Sequence, residues 1–167
     1  NAKVYDHAMV IECAKVQNDA EVYGQSIISR CASVLNNAKV YDYAKITDSA
    51  SVYGEAEVKE HAKICGAACI KGKSIVTKNA EVSGNAVIDC DAIISDIGDY
   101  MVFKNTWSSG RWFTWTKRNN KWKVGCFYGS GQELIEKAYK DDTKKGHHYK
   151  LVVNLVDTIN MLSGVKN

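Results

Sequence analysis

Residues 1–36 read NAKVYD HAMVIE CAKVQN DAEVYG QSIISR CASVLN when broken at every sixth residue, and that spacing decides the fold. Steps of six from Ala2 reach Ala8, Ala14, Ala20, Ser26, Ala32 and so on to Ala92, always a small residue. Steps of six from Val4 reach Val10, Val16, Val22, Ile28 and so on to Ile94, always β-branched. Sixteen hexads run from Asn1 to Asp96 without a slip. Neither an α-helix nor an ordinary strand has a six-residue period, so the repeat outranks local propensity.

Three hexads per turn make an 18-residue rung, in which residues 18 apart should stack about 4.8 Å from one another. Three columns written this way make chemical sense. Asn18, Asn36, Gly54 and Gly72 form a corner of residue types that tolerate positive φ. Lys3, Glu21, Lys39 and Glu57 form a ladder of alternating charge, and Tyr5, Tyr23 and Tyr41 an aromatic stack. β-Branched residues suit strands, and only a small residue fits beside a corner.

These hexads resemble the hexapeptide-repeat, left-handed β-helix family in its x-Ala-x-Val-x-Gly/Asp/Asn form. The resemblance covers residues 1–96 and implies a triangular prism of about five 18-residue rungs, all-β and parallel, with Val/Ile and Ala/Ser pointing inward. It also implies a homo-oligomer, commonly a trimer, with a dimer as the alternative. Outward apolar positions mark where the coil should meet something else: Met9, Ile11 and Ile27 at one end, and Ile75, Val87 and Ile93 towards the other.

Many members of that family are acyltransferases that use an acyl-CoA donor, a His general base and a loop interrupting the repeat. Here no loop interrupts the hexads. The coil's only histidines, His7 and His61, share a column three rungs apart, about 14 Å at strand spacing. His61 is the residue an acyltransferase reading would rest on; the uninterrupted coil argues for a scaffold. The six cysteines, Cys13, Cys31, Cys65, Cys69, Cys90 and Cys126, follow the repeat better than a disulfide framework and read as reduced thiols of a cytosolic protein. Cys65 and Cys69 make a lone CxxxC, a weak zinc signal, and no metal or other cofactor is expected. No apolar run is long enough for a membrane span.

Composition breaks near residue 97. Residues 97–167 carry 12 Lys/Arg against 6 Asp/Glu, a net of +6, whereas residues 1–96 carry 10 against 13, a net of −3. All four Trp lie between Trp107 and Trp122. The second unit, residues 97–167, reads as a small α+β domain of three antiparallel strands and two helices. Met101–Trp107 is the first strand. Arg111–Arg118 and Lys121–Tyr128 form a hairpin closed by Asn119-Asn120, a pair suited to a type I′ turn that would set Trp115 opposite Val124 and Phe113 opposite Cys126. Ser130-Gly131-Gln132-Glu133 has capping-box spacing and opens a helix carrying Leu134, Ile135 and Ala138. After a polar link over 141–146, a last helix from about His147 to Leu162 shows a stripe of Leu151, Val152, Leu155, Val156, Ile159 and Leu162. The adjacent His147 and His148 read as a solvated turn.

The outer face of the hairpin is basic with aromatics. Arg111, Trp112, Lys117, Arg118, Lys121 and Lys123, beside the Gly129-Ser130-Gly131 turn, form a candidate anion- or partner-binding site, since glycine-rich turns and helix starts offer N–H groups to phosphate and exposed aromatics stack bases. The same residues also read as a solvated face over a Trp core. Residues 99–117 resemble the start of a small domain recurring in uncharacterised proteins of bacteriophages and gut bacteria, a resemblance that extends over 99–162. Together these readings point to a non-enzymatic, oligomeric, cytoplasmic binding protein of phage or mobile-element origin. Its second unit would engage a host protein, nucleotide or nucleic acid, and a counter-defence inhibitor is the specific form expected. An acyltransferase and a structural virion part are the alternatives.

Overall fold

The computed structural model describes residues 1–164, a parallel β-solenoid of about five turns closed at one end by a small α+β unit. Every hexad contributes one two-residue strand, from β1 (Lys3–Val4) to β16 (Ile93–Ile94). Each strand pairs in parallel with the strand three later, which makes three sheets of six, five and five strands. One ladder runs Lys3, Glu21, Lys39, Glu57, Ile75, Ile93, so the rung is 18 residues, as the columns predict.

The hydrogen bonds between rungs follow one rule. The N–H of an outward residue donates to a carbonyl one rung on, that of an inward residue from Lys3 to Ala20 (2.9 Å) and from Tyr5 to Val22 (3.1 Å), and that of a corner from His7 to Gly24 (2.9 Å). The inward Val, Ile and Ala from Ala20 to Ile94 are fully buried, and complete burial of each Val or Ile is worth about 1.5–3 kcal/mol. Where Ser26 and Ser74 replace Ala, their hydroxyls donate to the carbonyls of Tyr23 (2.8 Å) and Lys71 (2.7 Å), so the buried polar atoms are matched.

Every sixth residue from Asp6 to Cys90 has φ near +60°, and these are the corners. Not only Gly, Asn and Asp stand there: Glu12, Arg30, Glu60, Lys78 and Cys90 adopt the same conformation. Carboxylates at corners offset part of this strain by accepting the N–H of the corner above, Asp48 from Gly66 (2.9 Å) and Glu60 from Lys78 (2.8 Å). Outward columns add contacts of their own. Lys3 meets Glu21 at 2.9 Å, and Tyr5, Tyr23 and Tyr41 stack at 5.0 and 4.9 Å. Enclosed in that stack, the Tyr23 phenol is pushed up to about 12, first by burial and then by the neighbouring phenols.

The coil stops where the corner rule stops. Asp96 has φ of −145° instead of a positive value, and it caps a short 3₁₀ turn, Ile97–Asp99. The last rung has no rung above it, so its outward N–H groups need other acceptors. The Tyr100 hydroxyl accepts from Ser83 N–H (3.3 Å) and donates to the Glu81 carbonyl (3.1 Å) beside β14 (Glu81–Val82). Thr114 Oγ1 accepts from Val87 N–H (3.0 Å) on β15 (Val87–Ile88), and the Asp99 carboxylate accepts from Ser95 N–H (2.8 Å) beside β16. One acceptor thus meets each of the three sheets, and Tyr100 and Val102 pack on the coil's core. The second unit is the coil's cap.

That unit holds a four-stranded antiparallel sheet, β17 (Tyr100–Lys104), β18 (Trp112–Thr116), β19 (Lys121–Val124) and β20 (Phe127–Gly129), then α1 (Gly131–Asp141) and α2 (Thr143–Gly164). Four strands replace the three expected, because Gly125, at φ +57°, breaks Lys121–Tyr128 into a tight hairpin. The preceding connection is also longer than a two-residue turn. Thr116 pairs with Lys121 and Trp115 with Trp122, so the register differs by two residues from the expected Trp115–Val124 pairing. Side-chain bonds explain it: Trp115 Nε1 donates to Asn120 Oδ1 (2.8 Å), and the Thr116 hydroxyl donates to Asn119 Oδ1 (2.6 Å). A shift of two preserves the faces, and Phe113, Trp115, Trp122 and Val124 still form the inner one.

The capping box of α1 is present, with Ser130 and Glu133 bonded reciprocally. The polar link is a single residue, Asp142, and α2 begins four residues earlier than expected, so His147 and His148 lie in a helix rather than a turn. Gly146 sits so close to Tyr139 that an added Cβ would lie 2.3 Å from its ring. That close crossing sets the phase of α2. Tyr149, Val152, Val153 and Val156 face inward, while Leu151, Leu155 and Leu162 of the expected stripe are exposed.

If the hydroxyl of Tyr100 ends the coil, Tyr100→Phe leaves two backbone groups without partners and should lower the unfolding free energy by about 1–3 kcal/mol in urea titrations. Tyr43→Phe, on an exposed side of the coil, should change it by less than about 0.5 kcal/mol. Equal effects would mean that the hydroxyl bridge does not hold the cap.

Candidate functional site

The hairpin face expected to offer an anion site is divided by the fold. Thr114 and Thr116 are buried against the coil, and Lys123 is drawn into the seam, where its ammonium lies 2.9 Å from the Asp89 carboxylate. Lys71 reaches the same carboxylate at 3.3 Å. Beside it, Asn119 Nδ2 (3.1 Å) and the Tyr128 hydroxyl (3.2 Å) both donate to Asp91. Burial pushes the Asp89 carboxyl up, but the Lys123 hydrogen bond, the Cys90 N–H and the two ammonium charges outweigh it and hold the group below the usual carboxylate range.

The remaining members of the expected site are scattered. Arg111, Lys117 and Arg118 are exposed, Lys121 is half-buried, and Trp112 is exposed with the Lys104 ammonium 5.0 Å above its ring. The Gly129–Gly131 turn is not open to phosphate. The Glu133 carboxylate accepts from Ser130 N–H at 2.7 Å and presents its own negative charge there. Of the outward apolar residues, Val87 meets β18, Ile75 and Ile93 pair with each other half-buried, and Met9 and Ile11 are exposed beside half-buried Ile27.

The histidines of the coil stay apart. His7 is exposed, and His61 stacks on Tyr43 with ring centroids 4.9 Å apart. All six cysteines are free, and burial raises the Cys65 and Cys90 thiols, away from the thiolate form that nucleophilic chemistry uses. Among the described residues no group of three or more His, Cys, Asp or Glu could hold a metal ion, and no helix is long and apolar enough to cross a membrane.

Two other places in the cap bring chemistry together. The first is an apolar groove of about 400 Å³ lined by Trp107, His148, Leu151, Val152 and Leu155. Trp107 is 51% exposed, Leu151 66% and Leu155 48%. The second is a narrow cleft where Arg111, Lys137, Asp141, Lys145 and Tyr149 converge. Asp141 is held below its usual range by the Lys145 hydrogen bond and charge, then by Lys137 and Arg111. The sequence offered a faint signal for the groove: His148, Leu151, Leu155, Thr158 and Leu162 follow alternating steps of three and four. For the cleft it offered none, since Arg111 precedes β18 while Lys137 and Asp141 lie on α1 and Lys145 and Tyr149 on α2.

Comparison of the chain with protein-family models, with curated proteins and with solved structures returns no match.

The seam predicts a pH dependence. The folded-state value of Asp89 is depressed, so its stabilising contribution is complete above the unfolded carboxylate range, about pH 4, and is lost as pH falls through the depressed value. Asp89→Asn should therefore flatten the acid side of the stability curve measured by thermal unfolding. At neutral pH, Lys123→Met, which strands the carboxylate with only Lys71 nearby, should cost about 2 kcal/mol in urea. An unchanged acid limb in Asp89→Asn would show that the seam pair contributes nothing.

Proposed function

We propose that this chain is a non-enzymatic binding protein, in which the coil is a rigid spacer and the capping unit carries the surface that takes a partner. The observation that carries this reading is the groove beside Trp107. An apolar groove around an exposed Trp is a common anchor for a protein partner. Its outer stripe on α2 repeats every three and four residues, the spacing that accepts a second helix. Exposed Lys144 continues the stripe at its N-terminal end. The partner is therefore read as a protein presenting an amphipathic helix, apolar along one stripe and acidic where it meets Lys144.

The 18-residue rung and its in-register columns support a coil of the hexapeptide-repeat kind, and a left-handed winding and assembly as a homo-oligomer follow from that resemblance. A phage or mobile-element origin, with a bacterial immune component as the partner in the host cytoplasm, names one form such a binder takes. Binding of a nucleotide or nucleic acid by residues 99–162 has less support, because Lys123 is engaged with Asp89 and the Gly129–Gly131 turn with Glu133.

Affinity capture from a bacterial lysate, compared between the unaltered chain and Leu155→Asp with Trp107→Ala, tests the groove. The double variant should keep its circular dichroism and lose at least tenfold in affinity for the captured protein. Capture at full strength by the folded variant overturns the reading, as does a native mass showing that a second copy fills the groove. Thioester turnover that vanishes in His61→Ala would instead identify an acyltransferase.

A further inference from the structure

Cys13 and Cys31 are the only two cysteines 18 residues apart in the sequence, so they stack on adjacent rungs. Both are exposed and free. Each follows a corner of the same shape, Glu12 at φ 59° and Arg30 at φ 57°. The same turn bond closes both corners, from Ala14 N–H to the Ile11 carbonyl and from Ala32 N–H to the Ser29 carbonyl, each 3.3 Å. The ladder fixes the two cysteines in register from both sides. Met9 pairs with Ile27 before the corner, and Lys15 with Ser33 after it. Between the rungs, Ile11 N–H donates to the Ile28 carbonyl (3.0 Å) and Lys15 N–H to the Ala32 carbonyl (2.9 Å).

Corners of one shape, one rung apart, leave the two Cα–Cβ bonds parallel. The Cα and Cβ separations therefore both lie near the rung spacing of about 4.8 Å. A disulfide accepts Cα atoms about 4.4–6.8 Å apart and Cβ atoms about 3.5–4.5 Å apart. The Cα atoms fit as they stand, and a slight tilt of the corner brings the Cβ atoms within range. A bond so placed, exposed and slightly stretched, is easily reduced again, as a switch must be. The other four cysteines lack this arrangement. Cys65 stacks between Thr47 and Ser83, Cys69 pairs with Ser51 and Val87, Cys90 stacks on Gly72, and Cys126 lies between β19 and β20. Ser49 and Ala67 continue the column of Cys13 and Cys31, so the corner itself does not require a thiol.

We propose that Cys13 and Cys31 form a reversible disulfide that joins the first two rungs when the surroundings turn oxidising. The oxidant is a small disulfide such as oxidised glutathione. The thiolate of one cysteine attacks it, forming a mixed disulfide and releasing one glutathione. The thiolate of the other then displaces the second glutathione. The two cysteines give up two electrons and two protons, and one oxidised glutathione becomes two reduced molecules. The closed bond keeps the rungs from parting at this corner, and with them the outward apolar residues Met9, Ile11 and Ile27. It does not depend on the groove beside Trp107.

Intact-mass measurement of the full chain, in glutathione buffers of rising oxidised fraction, tests this. The expected product is a single chain lighter by two hydrogens, whose tryptic digest links the peptides holding Cys13 and Cys31. Dithiothreitol should return it to the starting mass. Hydrogen exchange at the Ile11 and Lys15 amides, which donate across the two rungs, should slow by roughly tenfold or more in the oxidised form. Cys31→Ser should stop at a mixed disulfide on Cys13, and its circular dichroism should be unchanged, because Ser49 already occupies the same column. Cys126→Ser should close the bond as the unaltered chain does. A chain that gains no bond between these two cysteines, ending instead with glutathione on both or with links between copies, overturns the proposal. So does a closed bond that leaves the two amides exchanging as before.

Discussion

A parallel coil cannot finish itself. Each outward N–H is answered by a carbonyl one rung further along, so wherever the rungs stop, a ring of donors is left facing nothing. The rest of this structure depends on that constraint. The capping unit meets it with three different side chains, a phenol, a secondary alcohol and a carboxylate, one for each side of the prism. Its sheet is therefore positioned by the coil's backbone as much as by apolar burial, and the seam must lie where Thr114 can reach Val87.

The uneven charge of the two units has its local expression at the same seam. The coil's excess of carboxylates includes Asp89 and Asp91, and the cap's excess of cations includes Lys123. A surplus that reads as a binding surface when the chain is viewed linearly is thus partly an internal fastening. Among the described residues the cap's ion-paired cations are Lys123 and Lys145, and the others, Arg111, Lys117 and Arg118 among them, have no such partner.

The coil was almost wholly legible from the sequence because its period is independent of neighbours: Ala at one position and Val or Ile two later are demanded by every rung alike. Even there, Arg30, Lys78 and Cys90 at positive φ show that position in the repeat overrides residue preference. The cap was legible in kind and not in register. Asn119-Asn120 is a strong turn signal, yet bonds from Trp115 and Thr116 to those two side chains lengthen the connection. The phase of α2 was hidden because a glycine read as a linker, Gly146, is a contact point under Tyr139. The groove and the cleft follow from that phase, and both escape a reading that assigns each apolar stripe to a core.

The sixfold grammar gives the protein a quantised length. Removing one hexad would turn the cap by a third of a revolution about the coil, because the strand carrying Val87 would exchange places with its neighbour on the next side. Removing a whole rung would shorten the stalk by one strand spacing and leave the cap's bearing unchanged. Distance from one end of the coil to the cap and the direction in which the cap faces are therefore separately adjustable, in discrete steps, without touching a residue of either surface.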